Sequence, residues 1–89
     1  MGLSMRGNRA EIRLGYQVAA VLGAWDFRED GEGFVVDAEV SKANPLYLGQ
    51  SPLALDIPQG RQTLRFHNVE VQQLAGRVKV RGQGSPEKR

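Results

Sequence analysis

The sequence predicts an all-β fold, a small antiparallel barrel or sandwich of about six short strands. Three observations predict it. Apolar and polar residues alternate in run after run, as in Phe34, Val36, Ala38 and Val40 against Asp37 and Glu39. Strand side chains point to opposite faces with period two, so each such run offers one apolar face and one wet face. Turn-forming residues punctuate the runs at roughly 8–12-residue intervals, the rhythm of small barrels and sandwiches. Finally, the one segment that competes as a helix has no clean polar face.

Residues 1–8 read as a flexible arm, and the single domain is expected over 9–81. The first element is the ambiguous one. Asn8 followed by Glu11 matches a capping box, and Gly23 can end a helix. On a helical wheel, however, Ile12 and Tyr16 fall on one side while Leu14, Val18 and Val21 fall on the other. As a strand, Glu11 to Val18 alternates without error, and that reading is preferred over a helix at 9–22. Trp25 and Phe27 then sit on the opposite phase, which calls for a bulge or bend near 19–23, where small residues tolerate it.

Glu29-Asp30-Gly31-Glu32-Gly33 is a turn, because Asp-Gly supplies the positive φ of a tight hairpin. The next strand starts at Phe34. Residues 42–52 are the longest irregular stretch, bracketed by Asn44-Pro45 and Ser51-Pro52, where proline removes backbone donors. Leu53 to Ile57 is a strand, and Pro58-Gln59-Gly60 turns it back. A strand over 62–72 follows, broken near His67-Asn68, where Phe66 and Val69 fall on opposite phases. A turn at 73–76 leads to the last strand, Arg77 to Arg81. Residues 82–89 are rich in breakers and polar groups and read as a disordered tail. The expected core is Leu14, Val18, Trp25, Phe34, Val36, Val40, Leu53, Leu55, Ile57, Leu64, Phe66, Val71 and Val80.

Composition narrows the function classes. The chain has 89 residues, no cysteine and one histidine, so neither disulfides, a thiolate site nor a multi-histidine metal site can arise within it. No cofactor is expected. No apolar run approaches the ~20 residues of a membrane span, and the first residues have no secretory apolar region. The absence of cysteine fits a reducing compartment, so the expected location is cytoplasmic. The net charge of +2 hides an asymmetry. Asp26, Glu29, Asp30, Glu32, Asp37 and Glu39 crowd one stretch, whereas Arg61, Arg65, Arg77, Lys79, Arg81, Lys88 and Arg89 dominate the C-terminal third. Either the two form opposite poles that steer a partner, or acidic and basic strands pair within the sheet.

No cluster compels a chemistry. A catalytic histidine needs a nucleophile or an orienting carboxylate, and the neighbours of His67 in a strand point to the other face. The acidic turn lacks the ligand spacing of a calcium loop. Gly31-Glu32-Gly33 lacks the third glycine and the following helix of a phosphate loop. Two surfaces remain. Leu46, Tyr47 and Leu48 lie between two prolines, and three large apolar side chains in an irregular loop mark a candidate partner-binding surface. Arg61, Arg65, Arg77, Lys79 and Arg81 form a candidate nucleic-acid-binding row if their strands lie close together, although stacking aromatics are missing from it. The alternative use of that row is to keep an edge strand from pairing with other chains. The sequence therefore predicts a non-enzymatic protein–protein interaction module, an assembly component or a small accessory or inhibitor protein of the kind phages encode. Its partner is another protein or a second copy. A nucleic-acid-binding β-barrel is the alternative.

Overall fold

The computed structural model describes residues 4–89. Its elements are β1 (Ser4–Gly7), β2 (Ala10–Leu14), β3 (Gln17–Asp30), β4 (Gly33–Ala43), α1 (Pro45–Leu48), β5 (Leu53–Gln59), β6 (Gln62–Leu74), β7 (Arg77–Gln83) and β8 (Glu87–Lys88). Six strands follow the order β3-β2-β5-β6-β7-β4, and β4 pairs back with β3 to close an antiparallel barrel. Of the two architectures expected, the chain is the barrel. β1 and β8 are short additions on the long strands β3 and β6. Closure leaves no free edge on the six-stranded ring, which removes the usual template for aggregation.

The region 9–22 is not helical, but neither is it one strand. Leu14 pairs with Gln17 across a two-residue turn, Gly15-Tyr16, and the chain reverses there. Gly15 has φ +60°, the left-handed value that a hairpin turn can place at its first central position when that residue is glycine. The unbroken alternation from Glu11 to Val18 therefore runs across a reversal. Val18, expected in the core, lies outside it for this reason and is 38% exposed. Beyond it, Ile12 pairs with Ala20 and Arg13 with Val18, so Ala19 is an extra residue in β3. A second irregularity falls between Leu22 and Trp25. It turns Ala20 and Leu22 on one phase, and Trp25 and Phe27 on the other, into the same interior.

The break expected in β6 is a bulge. Leu53 pairs with Val69 and Leu55 with Phe66, so β6 spends three residues where β5 spends two. Asn68 sits at φ +55°. Its short amide tolerates that conformation better than other side chains except glycine's hydrogen. Both Phe66 and Val69 then point inward.

Inside, Ile12, Val36, Leu55 and Val80 are fully buried. Phe27, Phe34 and Phe66 meet in one aromatic cluster, with ring centroids 4.6 to 5.6 Å apart. Trp25 is buried as expected, and its Nε1–H donates to the Arg9 carbonyl at 2.8 Å. The ring lies against Gly7, where a Cβ would leave it no room. Leu14, Val40 and Val71 are only partly buried at the margin of this core. Ala10, Ile12, Leu22, Phe27, Leu48, Val69 and Val78 join it although the expected core did not include them.

Two ends follow from the topology. At the lower end lie the β2–β3 turn, the link from β4 through α1 to β5, and the β6–β7 turn. At the upper end lie the β3–β4 and β5–β6 turns, β1 and β8. The irregular stretch expected over 42–52 contains the single helical turn α1. Asn44 caps it through its Oδ1, which accepts from the Leu46 N–H at 3.1 Å, and Pro45 starts it. The expected arm and tail are also partly in the sheet. Ser4–Gly7 pairs with β3, and residues 1–3 lie outside the described residues. The strand β7 continues to Gln83, and Glu87 and Lys88 pair with β6. Both segments add to edges that the long strands leave uncovered, an opportunity that local polarity does not reveal. Among the described residues no helix is long and apolar enough to cross a membrane.

Candidate functional site

Among the described residues, the large apolar side chains that stay exposed are Tyr16 at 101%, Leu46 at 78%, Leu74 at 48% and Val18 at 38%. All four belong to the lower end of the barrel. Tyr16 occupies the tip of the β2–β3 turn, where both neighbouring strands have ended and no side chain is left to pack on it. Val18 follows on β3. Leu46 lies on the outward side of α1, and Leu74 closes β6 just before its turn. Between β3 and α1 runs a shallow groove lined by Val18, Val21, Ala43 and Pro45, with Glu11 and Lys42 at its margin.

The helical turn decides how the predicted trio divides. A turn of helix places successive residues about 100° apart, so three in a row cannot share one side. Leu46 faces out, Tyr47 is half-buried against the core, and Leu48 is 6% exposed and belongs to the core. Leu48 is therefore a correction: it plugs the barrel end and is no surface residue. Tyr16, Val18 and Leu74 are the members of this surface that sequence reasoning missed. Tyr16 carried a signal, since Gly15-Tyr16 is a glycine-led pair between two alternating runs, the mark of a hairpin tip.

The predicted basic row is dispersed. Arg65 donates two 2.7 Å hydrogen bonds, from Nε and Nη2, to the two carboxylate oxygens of Asp56. Arg13 approaches the same carboxylate at 3.6 Å. Asp56 is 6% exposed although it points to the outer face, because these two arginines cover it. Burial alone pushes its carboxyl up. The hydrogen bonds from Arg65 and the charges of Arg65 and Arg13 outweigh that effect and hold it below the usual carboxylate range. Arg65 is thus committed within the protein, which corrects its place in an open cationic row.

Arg77 faces Glu39 at 3.8 Å, and Lys79 faces Asp37 at 3.9 Å across the β4–β7 ladder. Asp37 also takes a 2.7 Å hydrogen bond from Arg28. Arg81 stands in register between Glu70 and Val35. Arg61 lies in the β5–β6 turn at the upper end. Acidic and basic strands therefore pair in the sheet, and the five cations do not gather into one unpaired surface.

His67 does find a carboxylate, but not through its neighbours in sequence. Its Nε2 lies 2.8 Å from Glu87 of β8, on the open outer face, with both side chains about half exposed. The His67 hydrogen bond lowers the Glu87 carboxyl, helped by the charge of Arg89. The pair clasps β8 onto β6. Among the described residues no three histidine, aspartate or glutamate side chains converge as metal ligands would. Compared with protein-family models, with curated proteins and with solved structures, the chain finds no match.

Proposed function

We propose that this protein is a non-enzymatic protein-binding module whose contact surface is the lower end of the barrel, centred on Tyr16, Val18 and Leu46. One observation carries the reading. Among the described residues, the large apolar side chains left in solvent collect at one end of a closed barrel, whereas elsewhere the surface is polar and several of its charges pair across the sheet. A tyrosine beside aliphatic groups at a protruding tip is the composition from which interface anchors are made. Supporting it, the dyad most like a catalytic one, His67–Glu87, is used to fasten a strand, and the cations that would serve nucleic acid are largely matched by acids.

The test places a photo-crosslinking benzoylphenylalanine at position 46, and as a control at position 61 on the opposite end, in the protein expressed in its own cells. Adducts to one protein of defined mass, or to a second copy, are expected from position 46 and not from 61. Tyr16→Ser combined with Leu46→Ser should abolish that contact and leave the thermal unfolding midpoint nearly unchanged, since both side chains are already in water. Adducts only from position 61, or none from either, overturn the assignment. Retention on heparin at physiological salt that is lost with Arg77→Glu and Arg81→Glu, together with biological activity, would promote nucleic acid instead.

A further inference from the structure

The upper mouth of the barrel is a separate concavity. Phe27, Phe34, Leu64 and Phe66 form its floor, and Met5 of β1 contributes one wall. The rings of Phe27 and Phe34 stack at 5.1 Å with an interplanar angle of 17°, and Phe66 tilts against both. The four floor side chains are the top of the core and keep only 4 to 7% of their surface exposed, at the base of the concavity. The roof on one side is Gly84-Ser85-Pro86, which lies between the ladder that ends at Gln83 and the one that resumes at Glu87. At the rim stand two carboxylates, Glu29 and Glu32, and one ammonium, Lys88. Neither glutamate has an ion-pair partner among the described residues.

We propose that this mouth binds a small aromatic amine, its ring seated on the phenylalanine floor and its ammonium facing Glu29 and Glu32. Barrel mouths are recurrent ligand sites, apolar inside with a few polar groups that fix orientation. An aromatic floor favours an aromatic guest, since offset and edge-to-face ring contacts add to simple burial. The rim then selects for charge. Two unpaired carboxylates outweigh the single Lys88 and favour a cation over an anion of the same shape.

Tryptamine, indole and indole-3-acetate distinguish these contributions, because they share a ring and differ in charge. Titration followed by amide nuclear magnetic resonance should move Gly31, Gly33 and Gly84 and leave Gly15 and Gly76 at the other end in place. Tryptamine should bind about tenfold more tightly than indole-3-acetate, as two solvent-exposed charge contacts allow. Glu29→Gln with Glu32→Gln should erase that preference and retain indole binding; both side chains are exposed, Glu29 at the end of β3 and Glu32 in the turn, so the variant keeps its fold. Equal binding of the three probes, a preference that survives the double substitution, shifts confined to the lower end or no shifts with tryptamine would each overturn the proposal.

Discussion

Asp56 is a carboxylate on the barrel wall that is taken out of water and answered by two arginines. Removing it in Asp56→Ala leaves Arg65 and Arg13 packed together without a counter-charge, and stability should fall by about 2–4 kcal/mol. The pH dependence has a definite sign. Asp56 titrates lower in the folded chain than in the unfolded one. Its contribution is complete above the unfolded carboxylate value of about 3.9 and is lost as pH falls through the folded value. Urea midpoints measured from about pH 5 to 2 should therefore decline more steeply in the native protein than in Asp56→Asn. Parallel declines would show that the arginines do not hold this charge. Neither the burial nor the pairing of Asp56 was legible in the sequence. They depend on which strands become neighbours, and Arg13, Asp56 and Arg65 meet only because β5 lies between β2 and β6.

At the scale of elements, the irregularities do as much as the regular strands. The bulge at Asn68 changes which face of β6 is apolar midway along its length. Asn68→Gly suits the same backbone and should match or exceed native stability, whereas Asn68→Val, branched at Cβ, should cost about 1–2 kcal/mol in thermal or urea unfolding. A valine that costs nothing would mean that the backbone there relaxes freely. This bulge and the irregularity between Leu22 and Trp25 were visible in the sequence as slips of phase, because alternation is a record of which side chains face inward. The reversal at Gly15-Tyr16 hid behind that same record. Two residues of turn preserve the even count, so the pattern reads straight through. The lower-end surface was half legible for a related reason. Prolines marked the loop as irregular, but only the helical turn shows that Leu46 and Leu48 part company, and only the hairpin brings Tyr16 to the same end.

At the scale of the molecule, the barrel is two three-stranded meanders, β2-β3-β4 and β5-β6-β7, sealed to each other along β2–β5 and β4–β7. Within each meander every connection is a two-residue hairpin. The link between them is different, since β4 and β5 are not neighbours and the chain must cross the lower end through α1. Each meander therefore carries two edges that fit the other half and nothing else in its own half. Whether the complementary half comes from the same chain depends on the reach of that one link. Deleting residues 45–49 should leave it too short to cross, and the chains should then trade halves to form an intertwined dimer, seen as a doubled mass in light scattering with the β-rich circular dichroism unchanged. A variant that stays monomeric and folded would show that α1 is dispensable as a bridge. On this expectation the helical turn is the span that lets one chain supply both halves of its own barrel.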